Sequence, residues 1–192
     1  TPLLYAFIIC FSASLITILP IFFWKRIQPK PKTDNSLPYL SKRYFTVTLL
    51  NNCFILLKDF LYIVVGAIYN VHHELGAGLN ESIYQEGLAI ELKKQQIFYE
   101  REKEVHPHYC GLKMEATFRL DFLCLANVIV ECKAVSKLTN EHRAQLFNYM
   151  RLTKIRAGVL ANFSPMFMEI ERYFYNPETN EILTYSGETI QI

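Results

Sequence analysis

The sequence lacks the features of a disulfide scaffold or a zinc module. Its 192 residues include five cysteines, and no two of them form a CxxC pair. We interpret them as reduced thiols, which suits a reducing compartment for the globular part of the chain. No internal repeat and no base-reading element is recognisable. The cysteines are scattered, and two of them lie in predicted buried strands: Cys10, Cys53, Cys110, Cys124 and Cys132.

The larger part of the chain also lacks an excess of basic residues. Residues 1–54 carry six Lys/Arg and one Asp/Glu, whereas residues 55–192 carry fourteen Lys/Arg and seventeen Asp/Glu, a net charge of −3. A basic surface is the usual electrostatic footprint of nucleic-acid binding. Attraction to phosphate in residues 55–192 would therefore be local, through a metal ion and a few Lys/Arg side chains.

Residues 1–24 contain no charged side chain, and Leu3 to Trp24 is almost continuously apolar. About 20 such residues can span a bilayer as a helix. Lys25 and Arg26 follow at once, so the positive-inside rule places the rest of the chain in the cytoplasm. A secretory signal peptide is a second interpretation, and a segment outside the mature protein is a third. Residues 3–24 are thus a candidate membrane contact, and the sequence leaves the three alternatives open.

The remaining chain divides into a basic, proline-containing linker over residues 25–54 and a globular domain over residues 55–192. Within the domain, hydrophobic periodicity and turn residues predict alternating helices and strands. Helices are expected over Asp59–Leu75, from an Asn80 cap to about Gln96, and over Asn140–Leu152 with Thr139 or Asn140 as cap. Strands are expected over Phe98–His106, Thr117–Leu125, Val128–Ala134, Arg156–Asn162 and Phe167–Phe174, with a turn at Cys110-Gly111.

Three charged residues interrupt two of these apolar strands. Asp121 lies in the first strand, and Glu131 and Lys133 lie in the second, after a short turn near Ala126-Asn127. Glu131 and Lys133 are two residues apart and share a face. A tight hairpin would place Asp121 opposite Glu131, with Cβ atoms ~5 Å apart.

Two carboxylates this close repel each other unless a cation or a proton lies between them. A divalent metal held by both acids, with Lys133 beside it, is one explanation. A cross-strand salt bridge is the other, with Lys133 neutralising both acids. Burying three ionisable groups is costly, so the pattern favours a functional site.

Two helices carry further candidates. Glu81 shares a face with the apolar residues Tyr84, Leu88 and Leu92, so its carboxylate points inward or only satisfies the helix dipole. In the later helix, His142, Gln145 and Tyr149 share a face. Gln145 and Tyr149 can bind phosphate or orient a water, or they form a partly buried polar edge.

Several segments together resemble a known family. Asp121…Glu131-Cys132-Lys133 resembles the D…(D/E)xK signature of the PD-(D/E)XK nuclease superfamily. Residues 78–84 fit the GxxExxY signature that names one family within it, and residues 71–78 are similar to that family's VHxELGxG run. Residues 145–149 match its QxxNY segment, and residues 158–163 match its GxLxNF strand. The resemblance covers about residues 55–175; the literal PD dipeptide is absent, because Leu120 precedes Asp121, and Cys132 replaces the usual Leu.

The resemblance implies an α/β (α+β) restriction-endonuclease-like core, with a mixed central sheet flanked by helices and preceded by the apolar N-terminal segment. It implies an Mg²⁺-dependent nuclease, with Mn²⁺ as a substitute ion and DNA as the expected substrate. Metal-binding roles fall to Glu81, Asp121 and Glu131, and the latter two are also catalytic with Lys133 and Gln145. His72, Tyr84 and Tyr149 are auxiliary candidates.

A second function is compatible with the same residues. The fold could bind nucleic acid or a protein partner without hydrolysis, tethered to a membrane or free in the cytoplasm, and the acidic domain favours this alternative. The sequence carries no signature that separates DNA from RNA as substrate, or endonucleolytic from exonucleolytic cleavage. It also carries no signature of the oligomeric state.

Overall fold

A computed structural model of the chain describes the backbone of residues 37–190 and the side chains of residues 55–190. The chain divides into two compact units, Thr1–Thr48 and Leu49–Ile192. Of the first unit, the described backbone is residues 37–48, which are helical. The candidate membrane segment at residues 1–24 and the first part of the predicted linker lie outside the described residues.

Three helices and nine strands make up the described chain. The helices are α1 (Leu37–Leu75), α2 (Glu81–Lys94) and α3 (Asn140–Thr153). The strands are β1 (Tyr99–Val105), β2 (His108–Tyr109), β3 (Leu112–Lys113), β4 (Phe118–Cys124), β5 (Val128–Lys133), β6 (Ala157–Asn162), β7 (Glu169–Asn176), β8 (Glu181–Thr184) and β9 (Thr189–Ile190).

Seven of the strands form one mixed sheet in the order β1-β4-β5-β6-β7-β8-β9. Every neighbouring pair is antiparallel except β5 and β6, which are parallel. Helix α3 connects these two, since a parallel pair needs a crossover that a tight turn cannot provide. The predicted fold class, a mixed central sheet flanked by helices, is confirmed.

Each face of the sheet is covered by its own helices. On one face, α1 and α2 pack on strand residues such as Phe122, Val130 and Val159. On the other face, α3 packs on residues such as Leu120 and Ile129. Both faces of the central strands are buried, which explains why β5 and β6 are apolar throughout, apart from the residues near their carboxyl ends.

Helix α1 begins earlier than the sequence pattern predicts. A helix was expected from Asp59, and the structure continues it back to Leu37, inside the segment predicted as a linker. The part from Ile55 to Leu75 is long and apolar enough to cross a membrane by length and composition, and 39% of its apolar window is buried inside the protein. Residues at helical spacing, among them Leu61, Val64 and Ile68, face the sheet. A helix that covers one face of a core passes the same test of length and composition.

The sequence did not predict four short strands, β2, β3, β8 and β9. Each is two to four residues long, too short for a clear alternation of apolar and polar residues. The expected turn at Cys110-Gly111 is confirmed, with positive φ at both residues.

Candidate active site

The β4–β5 hairpin has the tight turn that the sequence predicts. Leu125 and Ala126 have φ values of 52° and 55°, and the Asn127 N–H donates to the Cys124 carbonyl at 3.0 Å. Positive φ at both residues gives a tight turn. The register pairs Cys124 with Val128, so three residues lie between the paired positions. The register pairs Phe122 with Val130, so Asp121 and Glu131 come next on their strands.

Asp121 marks a break in the alternation of β4. Leu120 packs on the α3 face of the sheet, and Phe122, two residues later, packs on the opposite face. The neighbouring strand is irregular at the same level, because Glu102 of β1 has a φ of 51° and does not pair with Asp121. The Asp121 carboxylate accepts a hydrogen bond from the Cys132 N–H at 2.8 Å. The irregular backbone thus fixes this carboxylate against β5.

Glu131 and Lys133 form an ion pair on β5. Lys133 Nζ donates to Glu131 Oε1 at 2.6 Å, and the two side chains are 13% and 2% exposed. They follow Ile129 at two-residue intervals, so they continue the α3 face of the sheet. The second oxygen, Glu131 Oε2, is buried and has no hydrogen-bond partner among the described residues.

Burial and mutual repulsion perturb the three acids. Burial raises the pKa of Glu131 to about 7, the charge of Asp121 acts in the same direction, and Lys133 opposes both. Burial also raises the pKa of Asp121, against the Cys132 N–H, and the pKa of Glu81, against Lys133. Perturbed acids in one place are typical of functional sites.

Lys133 responds in the opposite sense to the acids around it. Burial alone would lower its pKa, but the hydrogen bond and charge of Glu131, with the charges of Glu81 and Asp121, outweigh burial and raise it. Lys133 is therefore a cation at neutral pH. All four ionisable groups interact, which places Glu81 in the same site as the hairpin.

Glu81 reaches the site from the first residue of α2. Asn80 is the N-cap, as predicted, with an extended backbone, and Glu81 is half-buried. The Ala134 N–H and the charge of His142 both lower the pKa of Glu81, against the effect of burial. These partners follow β5 and begin α3, so Glu81 lies where the two elements meet. The interpretation of Glu81 as inward-pointing agrees with this position.

Tyr84 holds the loop that precedes Glu81. Its hydroxyl donates to the Gly76 carbonyl at 2.7 Å and accepts from the Leu79 N–H at 3.1 Å. The ring is fully buried and stacks on Phe163, with centroids 4.7 Å apart. Tyr84 therefore positions the start of α2, and its hydroxyl is occupied by loop backbone.

The α3 candidates lie side by side. Gln145 Nε2 donates to the Tyr149 hydroxyl at 2.9 Å, and the Tyr149 ring stacks on Phe118 at the start of β4. Within the described part of the chain, no hydrogen bond joins Gln145 to the acids of the hairpin. The shared face predicted for these two residues is present, next to the strand that carries Asp121.

The histidines His142 and His72 lie in different parts of the structure. His142 lies in the first turn of α3, where its Nδ1 accepts from the Thr139 N–H at 3.1 Å. Its ring lies close enough to Glu81 to influence the pKa of that carboxyl, so His142 borders the site. His72, near the end of α1, contacts the Pro165 carbonyl through Nε2 at 3.0 Å, and so connects α1 to the segment after β6.

Asn162 is a site-forming residue to which the sequence gave no role. It is fully buried at the end of β6, in register with Lys133. Its Oδ1 accepts from the Val135 N–H at 3.0 Å, and its Nδ2 donates to the Val135 carbonyl at 2.9 Å. Asn162 thereby fixes the chain as it leaves Lys133. A polar residue inside the apolar β6 pattern was the available signal.

The donor set fits a hard divalent cation. Carboxylate oxygens are its preferred ligands, and Mg²⁺ commonly takes one or two carboxylates with waters and substrate phosphates. The unpartnered, buried Glu131 Oε2 is an acceptor of this kind. Across residues 55–190 no three His, Cys, Asp or Glu side chains are gathered closely enough to hold a metal ion. Instead, one oxygen of Glu131 accepts a hydrogen bond from Lys133, and one oxygen of Asp121 accepts a hydrogen bond from the Cys132 N–H.

The mixed sheet is covered by helices on both faces, and its β4–β5 hairpin carries two acids and a lysine. Together these features define a restriction-endonuclease-like protein. The chain belongs to the PD-(D/E)XK nuclease superfamily, whose family model matches residues 58–173. Nucleases of this superfamily typically use divalent metals.

Comparison with solved structures gives one crystal structure, that of SSO0001, at 20% sequence identity and a TM-score of 0.41. The match covers 52% of this chain and 53% of SSO0001, so the chain spans about half the length of that protein. The comparison with curated proteins gave no significant match.

Proposed function

We propose that this protein is a metal-dependent nuclease that hydrolyses phosphodiester bonds of DNA, with Mg²⁺ as its ion. The observation that carries the proposal is the hairpin site. Asp121 and Glu131 lie adjacent, Lys133 is paired with Glu131, and one buried Glu131 oxygen has no partner in residues 55–190. Membership of the superfamily supports nuclease activity in general.

The residues divide into those that would bind the ion and those that would act on the substrate. Glu81, Asp121 and Glu131 would hold the ion, together with the main-chain carbonyl of Cys132. A divalent metal stabilises charge on a phosphate and lowers the pKa of a bound water. Lys133, cationic and held by Glu131, would orient the attacking water or balance charge that develops on the phosphate.

Gln145 is proposed as a further catalytic residue. Its amide nitrogen donates to Tyr149, which leaves the amide oxygen able to accept a hydrogen bond from a water. The α3 face that it shares with Tyr149 lies beside β4, the strand of Asp121. We assign the chain to the GxxExxY group on residues 78–84, where Gly78, Glu81 and Tyr84 occupy the three named positions of the motif.

A cleavage panel tests the proposal. Purified full-length protein is incubated with single- and double-stranded DNA and RNA, with Mg²⁺, Mn²⁺ or a chelator. DNA cleavage that needs metal is expected, with a loss of at least about a hundredfold in Lys133→Ala, since one removed electrostatic contact costs about that much. Lys137→Ala, an exposed lysine four residues away, is the matched control and should cleave normally. Absence of cleavage of every substrate in both metals would contradict the proposal.

One observation favours a second function, a nuclease fold that binds without hydrolysis. Lys133 already neutralises Glu131, and no three-ligand cluster is gathered in residues 55–190. Such a module would bind nucleic acid with equal affinity before and after Lys133→Ala, and would show no turnover. Any measured turnover that depends on Lys133 removes this alternative.

A further inference from the structure

The β2–β3 hairpin projects apolar side chains that the core does not use. Tyr109 and Leu112 are 73% and 75% exposed, and they flank the Cys110-Gly111 turn as directly paired residues. A two-stranded hairpin cannot bury a core of its own. Exposed aromatic and aliphatic side chains at such a tip are therefore available to a partner.

The two faces of the hairpin differ chemically. Directly paired residues point to the same face, and successive pairs alternate. Tyr109 and Leu112 form an apolar face, and the next pair, His108 and Lys113, lies on the opposite face. Residues 105–114 contain no Asp or Glu, although residues 55–192 as a whole are acidic. An apolar face backed by basic side chains is complementary to stacked bases and a phosphate backbone.

The hairpin is closed at its base by its own hydrogen bonds and precedes β4, the strand that carries Asp121. The Met114 N–H donates to the Pro107 carbonyl at 2.9 Å, and His106 Nδ1 contacts the Met114 carbonyl at 3.2 Å, which closes its base. The hairpin leads into β4, whose first residue is three positions before Asp121, or about 10 Å along a strand. Lys133 is the last residue of β5 and lies far from the Leu125-Ala126 turn. It is therefore at the end of the sheet where the chain enters β4 from the hairpin. A nucleic acid at the site could thus reach the hairpin.

We propose that the β2–β3 hairpin is a nucleic-acid contact in which the Tyr109 ring stacks on an unpaired base, Leu112 packs beside it, and Lys113 contacts phosphate. This inference rests on the proposed function, because it names the element that would hold the substrate of the same site. The partner is a nucleic acid and the recognised feature is a base that is free to stack.

The test uses full-length protein in a Lys133→Ala background, to prevent turnover, with oligonucleotides that contain 2-aminopurine. Stacking on Tyr109 should quench the fluorescence of a single-stranded probe, and much less that of a probe whose 2-aminopurine is inside a duplex. Tyr109→Ala should abolish the quenching and weaken binding about tenfold, while Tyr109→Phe should keep both. Lys113→Gln should weaken binding to all sequences and reduce the salt slope by about 1. Tyr62→Ala, an 82% exposed tyrosine of α1, is the matched control.

The outcomes separate the inference from the proposed function. If native protein cleaves nucleic acid but Tyr109→Ala changes neither quenching nor affinity, the inference fails and the nuclease proposal stands. If nothing is cleaved in any metal but quenching depends on Tyr109, the contact stands and hydrolysis fails. If Tyr109→Ala with Leu112→Ala abolishes self-association in sedimentation and leaves nucleic-acid binding unchanged, the tip binds a second copy and the inference is overturned.

Discussion

At the scale of single residues, the site depends on how each charge in it is balanced. Glu131 is 1% exposed, and a buried carboxylate persists only with compensating partners. Lys133 supplies one, through the 2.6 Å hydrogen bond. Asp121 has a separate partner in the Cys132 N–H. The salt bridge predicted across the strands is instead formed within β5, between Lys133 and Glu131 alone. It coexists with a Glu131 oxygen that has no hydrogen-bond partner within the described chain.

The raised pKa of Glu131 makes stability depend on pH in metal-free protein. The pKa is about 7 in the folded state against an ordinary value of 4.5. Below pH 4.5 the carboxyl is neutral in both states, so it contributes nothing. Between these values the unfolded chain ionises more readily than the folded one, so stability falls as pH rises and the penalty is complete above about pH 7.

Glu131→Gln should remove this penalty. Relative to wild type, we expect the variant to gain about 2–3 kcal/mol of unfolding free energy between pH 5 and pH 8, and to lose cleavage. Urea denaturation in the presence of a chelator measures the first effect. Glu86→Gln, an exposed carboxyl of α2, is the control and should show the wild-type pH profile. A Glu131→Gln profile parallel to wild type would contradict the assigned pKa.

Cysteine chemistry is also decided at this scale. Cys124 and Cys132 are buried free thiols and Cys110 is an exposed one. Burial raises the pKa of Cys124 to about 12, so this thiol is unreactive. Two of these cysteines therefore lie in the core and one at the surface, in agreement with the positions expected from the sequence.

At the scale of elements, close packing of α3 against β6 holds one wall of the site. Gly158 of β6 faces this helix, and a Cβ added there would lie 2.6 Å from Met150 Sδ and 3.0 Å from Leu146 Cδ1. Both neighbours are fully buried, so they have little room to move. Helix α3 carries Gln145 one residue before Leu146, and any shift of the helix moves that side chain.

Gly158→Ala should therefore cost about 1–3 kcal/mol of unfolding free energy, as expected for an overpacked core, and should reduce cleavage. Gly66→Ala is the matched control, because Gly66 lies within α1 with nothing within 4 Å of an added Cβ. Alanine there should stabilise by about 0.5–1 kcal/mol, since it favours the helix. Thermal and urea unfolding measure both. Equal effects of the two substitutions would contradict the packing explanation.

At the scale of the whole molecule, the apolar segment that precedes the domain predicts attachment to a membrane. We expect the full chain to fractionate with membranes through residues 3–24, as their length and composition predict. A chain that begins at residue 45 should remain in the soluble fraction. Flotation of both with lipid vesicles, followed by immunoblotting, is the measurement.

A substitution within the full chain controls for the shortening itself. Ile16→Arg places a charge in the middle of the apolar segment, which is costly in a membrane, and should also move the protein towards the soluble fraction. If the full chain and the shortened chain partition equally, residues 3–24 are not an anchor. In that case the apolar window in Ile55–Leu75 becomes the segment to test.

The sequence by itself determined the longer strands, the helices α2 and α3, and the identity of the charged residues. Runs of aromatic and aliphatic residues between turn signals predicted the longer strands, and the symmetry of Asp121 and Glu131 about residue 126 predicted their hairpin register. These inferences succeed because they depend on local periodicity and on one short turn. Residues 71–84 and 145–149 also carried the family resemblance without any structural input.

Only the tertiary structure decided how the charges are partnered. The break at Asp121, its bond to the Cys132 N–H and the backbone contacts of Asn162 all depend on strands that meet through sheet pairing. Pairing between distant segments leaves no periodic signal in the sequence. The same holds for the β2–β3 hairpin, whose strands are too short for a pattern and whose exposed face is defined by register. The sequence thus identified the charged side chains, and packing determined which of their oxygens are hydrogen-bonded and that Glu131 Oε2 has no partner among the described residues.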